Sequence, residues 1–351
     1  MSTAVKMPWE LSSVEILLQS EDAFTRQDES DDALFYEQDR FVSHLDTTAL
    51  TTVEKIIGGL VTEQEPVILD LMAGWDSHLP EHLAPCHVAG LGLNRNELSQ
   101  NPDLDEYIIH DLNKDASLPF KDNTFDAVLN TVSVDYLTRP VQLFKEVKRV
   151  LKPGGLFLVI FSNRFFPPKA IKVWQEASEN ERVDLVKEFF LQAGFEQPEL
   201  EVSMGRPRPE NDKYSHLGVP SDPVYAVFAE KEGGAGAKKR KESLQAVMDK
   251  GYDIEEVEAR KSQIKHTLCC PYCGEKLAKW EVPEDPFVEW PDEYLYICFN
   301  DFCPYLVEGW RAMYEQGMPG MSCRLMYVPK KDNTVAVPVQ GLNDLREGIK
   351  Q

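Results

Sequence analysis

Two closely spaced pairs of cysteines are the residues of this sequence best suited to bind a metal ion. Cys270 and Cys273 are separated by two residues and followed by a glycine, and Cys298 and Cys303 follow after 24 further residues. Thiolates are soft ligands that zinc prefers, and four of them complete a tetrahedral site with no open position. We therefore predict a structural zinc ion bound by these four cysteines. Buried thiols that pack together without a metal are the alternative.

The residues around these cysteines indicate what kind of unit they belong to. The knuckle CPYCG at 270–274 resembles those of zinc ribbons, and EYLYICF at 293–299 is expected to form the strand that leads to the second pair. A redox pair is disfavoured because the βαβ pattern of thioredoxin-like proteins is absent. His266, Cys269 and Cys323 are spare ligands, and Cys269 is expected to point away from the metal. Such a small unit has little core, so zinc is expected to supply much of its stability.

A second group of polar and small residues follows predicted strands in the N-terminal half. In an open parallel sheet, a nucleotide-like ligand lies outside the carboxyl ends of the strands, where an acid or amide can bind its ribose. Asn94 follows the second strand, and an amide can hydrogen-bond a hydroxyl. Asp111 follows the third, where a carboxylate can accept a hydrogen bond from an adenine amine. The candidate cofactor-binding residues are Asp70, Ala73, Gly74, Asp76, Asn94, Asp111, Leu112 and Asn130.

Alternating β-rich and helical segments must position these residues. The runs VILDLM, HVAGLGL, YIIHDL, FDAVLNTVSV and GLFLVIFS are typical of strands, and VQLFKEVKRVL before the fifth has a helical pattern. The pattern predicts an α/β fold with a doubly wound, mostly parallel, seven-stranded sheet. LEVSM and PVYAVFAEK are expected to close that sheet with an antiparallel strand. A small zinc-ribbon-like domain is expected to follow.

The predicted domains follow from these elements and from one break in composition. KEGGAGAKKRKE, at 231–242, is rich in glycine and like charges and is typical of a flexible linker. The predicted units are an N-terminal helical lead-in (1–65), the α/β domain (66–231), a linker and connector helix (232–265), the zinc-ribbon-like domain (266–339) and a C-terminal tail (340–351).

The segment 107–163 resembles class I, or Rossmann-like, S-adenosylmethionine-dependent methyltransferases. LPFKDNTFDAV and EVKRVLKPGG are its most specific pieces. With the lead-in FYEQDRFVSHLD and the loop DLMAGWDSHLP, the chain is similar over roughly residues 33–230 to the methyltransferase type 11-like branch. The resemblance implies S-adenosylmethionine as cofactor. It also implies that Asp70 opens the first cofactor motif and that Gly74 is its central glycine. By the same resemblance, Asn94 contacts the ribose and Asp111 contacts the adenine.

Met72 and Asp76 depart from this family pattern, because glycines are usual at both positions. These side chains could narrow the methionine pocket, add a carboxylate that meets the amino group of the cofactor, or abolish binding. We expect binding to be retained, since a side chain is tolerated wherever the backbone stays at negative φ.

The sequence names no single catalytic residue. Methyl transfer needs mainly a nucleophile held in line with the sulfonium, so the family has no universal base. His78 and His82 are spaced i,i+4 and could ligate a metal, although helix capping or exposure to solvent is the alternative. Four residues remain open as a base or as structural polar groups: His110, Asp135, Tyr136 and His216.

Charge and composition restrict the partners and the compartment. The chain has 37 Lys+Arg against 59 Asp+Glu and a formal net charge of -22, which disfavours nucleic acid. It has no apolar run of about 18 residues and no N-terminal signal pattern. Six of the seven cysteines cluster between Cys269 and Cys323. Such clustering is unlike a disulfide framework, so we expect a cytoplasmic protein without a membrane anchor.

Two functional hypotheses follow. The first is an enzyme that moves a methyl group from S-adenosylmethionine to a small-molecule or protein acceptor, with the zinc module recognising a protein partner or the substrate. The second is a catalytically inactive binding or adaptor protein on a methyltransferase fold, which Met72, Asp76 and Asn94 favour. A zinc-ribbon nucleic-acid factor is a third reading, disfavoured by the net charge.

Overall fold

The structure is a computed structural model that describes residues 12–83, 86–234, 237–248, 251–282 and 292–350. Its contacts divide the chain into two compact units. The first comprises Met1–Leu45, Leu50–Glu201 and Val224–Met248, and the second comprises Asp46–Ala49, Val202–Pro223 and Asp249–Gln351.

A seven-stranded sheet forms the centre of the first unit. Its strands are β1 Val67–Leu71, β2 His87–Gly92, β3 Glu106–Ile109, β4 Phe125–Thr131, β5 Leu151–Phe161, β6 Glu199–Ser203 and β7 Val224–Glu230. Their order across the sheet is β3-β2-β1-β4-β5-β7-β6. The pairs β1–β2, β2–β3, β1–β4 and β4–β5 are parallel, whereas β7 runs antiparallel to β5. The predicted α/β fold, with a mostly parallel sheet and a closing antiparallel strand, is confirmed.

Eleven helices occur in the described part of the chain. They are α1 Ser13–Leu18, α2 Asp32–Phe35, α3 Thr47–Leu60, α4 Arg95–Gln100, α5 Pro140–Val150, α6 Lys172–Glu176, α7 Glu179–Gln192, α8 Ala237–Val247, α9 Ile254–Lys261, α10 Ile264–Thr267 and α11 Pro304–Glu315. None of these helices is long and apolar enough to cross a membrane.

The central strands are apolar because helices cover them. Every residue of β5 from Gly155 to Phe161 is buried, as expected of a central strand packed on both faces. Phe144 of α5 packs edge-on against Phe157 of β5, with ring centroids 4.6 Å apart, and against Phe190 of α7 at 5.0 Å. This core holds the strand ends, where the predicted site residues lie, in fixed positions.

The KPGG sequence, at 152–155, lies inside β5 and forms no turn before that strand. The pairing of β4 with β5 shifts register here, since Phe125 pairs with Leu151 and Ala127 pairs with Leu156. Gly154 has φ +78, and a Cβ on it would lie 2.8 Å from the Cα of Gly234. The glycine is therefore required by a bulge within the strand.

Part of the segment expected to be a flexible linker is helical. Within α8, the buried Arg240 side chain lies 2.6 Å from a Glu230 carboxylate oxygen and donates to the Leu60 carbonyl at 2.6 Å. A second carboxylate, Glu63, also accepts from its guanidinium. These contacts explain the order, because three acceptors offset the burial of one cation.

The second unit is built on a four-stranded antiparallel sheet. Its strands are β8 Ala278–Glu281, β9 Tyr294–Ile297, β10 Ser322–Val328 and β11 Asn333–Val339, in the order β11-β10-β9-β8. Strand β9 coincides with the strand predicted before the second cysteine pair. Most of the carboxylate-rich stretch that precedes it, 283–291, lies outside the described residues.

Candidate functional site

A cavity of about 400 Å³ lies in the first unit at the carboxyl ends of β1 to β4. Seven of the eight predicted cofactor residues line it: Asp70, Ala73, Gly74, Asp76, Asn94, Asp111 and Leu112. Asn130 is not among the lining residues. Val132 and Ser133, which follow β4, also line the cavity.

The loop after β1 approaches the end of β2 very closely. The Ala73 amide donates to the Leu91 carbonyl at 2.7 Å. A Cβ placed on Gly92 would lie 2.3 Å from the Ala73 carbonyl oxygen, so β2 must end on a glycine. Met72, at a position where the family has glycine, has φ +57. The expectation that its backbone stays at negative φ is therefore wrong, and the loop holds a side chain in the left-handed region that costs about 1 to 2 kcal/mol.

The side chain of Asp70 fixes the shape of the loop after β1. Its buried carboxylate accepts a hydrogen bond from the Ser77 hydroxyl at 2.7 Å. The side-chain amide of Asn101 donates to the same hydroxyl and to the Gly74 carbonyl, both at 3.0 Å. Burial raises the pKa of Asp70 to about 7. The acid that opens the motif therefore supports the loop, and Asn101 and Ser77 are partners that the sequence analysis missed.

Asp76 and His78 form an ion pair in the cavity wall. The His78 amide donates to Asp76 Oδ1 at 2.8 Å, and its Nδ1 lies 3.1 Å from Oδ2. Burial lowers the pKa of His78, but the hydrogen bond to Asp76 and the negative charges of Asp76, Asp70 and Glu54 together outweigh burial, so the net shift is upward. The same hydrogen bond lowers the pKa of Asp76. Among the described residues, a group of three or more possible metal ligands occurs only at the four cysteines.

Asn94 lines the cavity but uses its side-chain amide elsewhere. Its oxygen caps α4 by accepting from the amides of Asn96 and Glu97, at 2.8 and 3.1 Å. Its nitrogen donates to the Tyr36 carbonyl and to Asp39, both at 3.0 Å. Little hydrogen-bonding capacity remains for a ribose hydroxyl.

Glu97 is a cavity residue that the sequence analysis missed. It lies in the first turn of α4 and is 8% exposed. One carboxylate oxygen, Oε1, accepts from the Arg40 amide at 2.7 Å. Burial raises its pKa. The available signal was its position in RNEL, because an acid three residues after an N-cap asparagine belongs to the same first turn.

Asp111 closes a small turn at the end of β3. Its Oδ1 accepts from the Asn113 amide at 3.0 Å, and the ammonium of Lys114 lies 3.4 Å from Oδ2. Asn113 in turn donates to Asp32 and to the Tyr136 carbonyl, both at 2.9 Å. The turn thereby connects the end of β3 to α2 and to the backbone at Tyr136.

Asn130 and the four candidate bases differ in their contacts and in whether they line the cavity. Asn130 donates to the Ser133 hydroxyl at 2.9 Å, and its buried Oδ1 has no partner among the described residues. Tyr136 lines the cavity, and its hydroxyl accepts from the Phe166 amide at 2.8 Å. The buried Asp135 carboxyl interacts with that hydroxyl, and burial raises its pKa to about 7. His110 also lines the cavity, whereas His216 belongs to the second unit.

Residues 32–45, which we term the wall segment, form a side of the cavity that the sequence analysis assigned only to a lead-in. Asp32 anchors the segment, since it accepts from Arg26 at 2.8 Å and lies 3.2 Å from the fully buried Lys169 ammonium. The Arg40 guanidinium stacks over Phe35 at 4.6 Å from the ring centroid. The wall segment thus places Arg40 and Tyr36 in the lining of the cavity, and Phe35 packs against Arg40.

The four predicted metal ligands converge in the second unit. The sulfurs of Cys270, Cys273, Cys298 and Cys303 all lie within 4.8 Å of one another. The Cys270–Cys303 separation is 3.8 Å and the Cys273–Cys298 separation is 3.6 Å. Four sulfurs at about 2.3 Å from a zinc ion would be about 3.8 Å apart, so the thiols fit a tetrahedral zinc site.

The groups around the thiols support this arrangement. The buried Arg324 donates to the Cys298 carbonyl at 3.2 Å and to Asp301 at 2.6 Å. It therefore fixes the loop between the two cysteines of the second pair. Cys269 directs its sulfur to the Thr267 carbonyl at 3.5 Å, and neither Cys323 nor His266 belongs to the group.

A parallel sheet with β7 inserted antiparallel beside β5, and a cavity at the carboxyl strand ends, is the class I methyltransferase fold. Residues 74–159 match the family model described as a methyltransferase domain, Methyltransf_11. The matched segment therefore lies within a sheet that has the class I methyltransferase fold.

Several known proteins are similar to parts of the chain. The chain is 29% identical over 137 residues to the malonyl-(acyl-carrier protein) O-methyltransferase of Marinomonas sp. (strain MWYL1), covering 37% of this chain and 51% of that protein. It is 38% identical over 69 residues to the ubiquinone/menaquinone biosynthesis C-methyltransferase UbiE of Ruegeria sp. (strain TM1040), covering 20% and 26%. The YcgJ protein of Bacillus subtilis is 16% identical with a TM-score of 0.36, covering 53% of this chain and 99% of that one. The chain spans about half of the length of the first of these curated relatives and about a quarter of the second.

Proposed function

We propose that this chain is an S-adenosylmethionine-dependent methyltransferase. The observation that carries the proposal is the cavity at the ends of β1 to β4, which gathers Gly74, Asp111 and Leu112 on a methyltransferase domain. Its volume of about 400 Å³ lies within the usual range of ligand pockets. When bound, the cofactor supplies an electrophilic methyl group on a sulfonium.

Each part of the cavity has a proposed role in holding that cofactor. Asp111 and Leu112, at the end of β3, would bind the adenine. Gly74 and Ala73 bring the backbone close to the methionine portion. Asp76, whose charge His78 sustains, would meet the amino group of the cofactor at the same loop. Met72 fills part of the space that the family leaves open.

The acceptor would lie between the wall segment and the ends of β4 and β5. Tyr136 stacks with Phe166, with centroids 6.2 Å apart, and His44 meets Phe166 edge-on at 5.5 Å. These rings orient an acceptor and exclude water from it, which is the main requirement of methyl transfer. The proposed acceptor is a small molecule or a protein.

We also propose that the second unit binds one structural zinc ion through its four cysteines and serves recognition of a partner or the substrate. A site of four protein ligands has no position for a substrate, so zinc would act on stability alone. The clustering of thiols near a metal site supports a cytoplasmic location.

The rival proposal is an inactive binding protein, and the positive φ of Met72 together with the capping role of Asn94 favours it. Isothermal titration calorimetry with S-adenosylmethionine and S-adenosylhomocysteine separates the two. We expect both ligands to bind. Absence of binding at millimolar ligand would overturn the methyltransferase proposal.

A further inference from the structure

The end of β2 has no side chain that could bind a ribose. Strand β2 ends at Gly92, and the Ala73 carbonyl oxygen occupies the place of its Cβ. The next polar side chain, Asn94, already caps α4 and holds Tyr36 and Asp39. A nucleoside in this cavity must therefore find its hydroxyl acceptor elsewhere.

Glu97 offers such an acceptor from one helical turn further on. Its Oε1 is bound to the Arg40 amide, but Oε2 accepts no hydrogen bond from any described residue. Oε2 lies 3.4 Å from the position that a Cβ on Gly74 would take. Because Gly74 has no side chain, the space in front of this oxygen stays open to the cavity.

The same turn of α4 also holds the wall segment. Besides the Arg40 amide on Glu97, the Asn94 amide donates to Tyr36 and Asp39, and Asn96 donates to Asp39 at 2.6 Å. One carboxylate therefore faces the cavity with one oxygen and the wall segment with the other. Burial raises the pKa of Glu97, and hydroxyl donors would offset the loss of solvation of its charged form.

We propose that Glu97 binds the vicinal hydroxyls of the nucleoside through Oε2 while Oε1 holds the Arg40 amide, so that ligand binding orders the wall segment. This inference rests on the proposed function, in which the nucleoside is the adenosine part of S-adenosylmethionine. A single carboxylate oxygen has two lone pairs and can accept from two adjacent hydroxyls, whereas an amide nitrogen can only donate. The wall segment is then the part of the site that closes around the occupied cavity.

Ligand binding by Glu97→Gln tests the first half of the proposal. The glutamine oxygen can still accept from the Arg40 amide, but its amide nitrogen replaces the acceptor that faces the sugar. We expect S-adenosylhomocysteine to bind at least tenfold more weakly to Glu97→Gln than to the unmodified protein by calorimetry. Ser99→Ala, an exposed change on the same helix, is the control and should bind equally. Binding by Glu97→Gln within twofold of the unmodified protein would overturn the assignment.

A pair of nucleosides tests whether the hydroxyls are what Glu97 recognises. Adenosine should bind the unmodified protein at least tenfold more tightly than 2′,3′-dideoxyadenosine, and Glu97→Gln should reduce this ratio to near one. An unchanged ratio contradicts the proposal. If the unmodified protein binds adenosine in this Glu97-dependent way but does not bind S-adenosylhomocysteine, the methyltransferase proposal fails and the Glu97 assignment stands.

Hydrogen exchange tests the second half. S-adenosylhomocysteine should slow amide exchange in peptides covering 36–42 of the unmodified protein, and the effect should be lost in Glu97→Gln at saturating ligand. Equal slowing in both proteins would show that the wall segment does not respond through Glu97. Circular dichroism and melting temperature verify that the variant is folded.

Discussion

The cavity of the first unit and the cysteine cluster of the second differ in how directly their residues could be predicted. At the cysteines, residue type and spacing name the ligands, and the four sulfurs lie within 4.8 Å of one another. In the cavity, the predicted residues are present, yet Asp70 and Asn94 use their side chains on the loop and on the cap of α4. The ligands of a metal site can be predicted from residue type, because a few strong bonds from known donor atoms hold the metal. The residues of a nucleotide site are harder to predict, because backbone groups compete with the ligand for the same side chains.

Among changes to the cavity and to the cysteine cluster, loss of the metal should reduce stability most. We expect about one zinc ion per chain by elemental analysis, and none in a Cys273→Ser, Cys298→Ser double variant. Structural zinc contributes on the order of 10 kcal/mol in small metal-dependent domains, so the second unit should unfold in that variant.

Two cysteines outside the cluster provide the matched control for this experiment. Cys323→Ser and Cys269→Ser should keep the zinc content and the melting temperature of the unmodified protein, because neither sulfur belongs to the four-thiol group. A double variant that is metal-free but melts like the unmodified protein would contradict the zinc proposal and leave thiol packing as the explanation.

The contact between Gly92 and Ala73 should give the next largest effect. Gly92→Ala places a methyl group 2.3 Å from a backbone oxygen, so the loop after β1 must move. We expect a loss of roughly 1 to 3 kcal/mol in the free energy of unfolding, the usual range for overpacking. Gly74→Ala is the matched change, since its nearest contact is 3.4 Å and its stability should change little. Similar denaturation midpoints for the two variants would argue against a close approach at Gly92.

Met72 allows the strain in the loop to be separated from the size of its side chain. Met72→Gly and Met72→Ala both remove the thioether chain, but only glycine also lacks the Cβ that is strained at the positive φ of +57. We expect the glycine variant to be more stable than the alanine variant by about 1 kcal/mol in urea denaturation. A more stable alanine variant would show that the loop does not hold residue 72 in the left-handed region.

Much of the fold was predictable from the sequence, because hydrophobic runs and their polar ends mark β1 to β5 and the strand β9 directly. The KPGG bulge was not, since a glycine pair is compatible with a turn or with a bulge until the partner strand is known. Glu97 and the wall segment were missed for a related reason. Their roles arise from contacts between segments far apart in the sequence, such as Arg40 to Glu97, that no local pattern specifies.

Asp70 is 5% exposed, and its charge should make the stability of the protein depend on pH. Since burial raises its pKa in the folded state to about 7, above its ordinary value of 3.8, the folded protein binds a proton that the unfolded chain does not between these values. Stability should therefore rise as the pH falls from 8 to 6, by about 1 kcal/mol for this group. Asp135 should add a similar increment for the same reason. Asp70→Asn should lose its share in urea denaturation at the two pH values, whereas Asp184→Asn, an exposed carboxylate on α7, should keep the full increment. An identical increment in Asp70→Asn and in the unmodified protein would mean that Asp70 is charged throughout this range, and the loop would then have to stabilise a buried carboxylate through Ser77 alone.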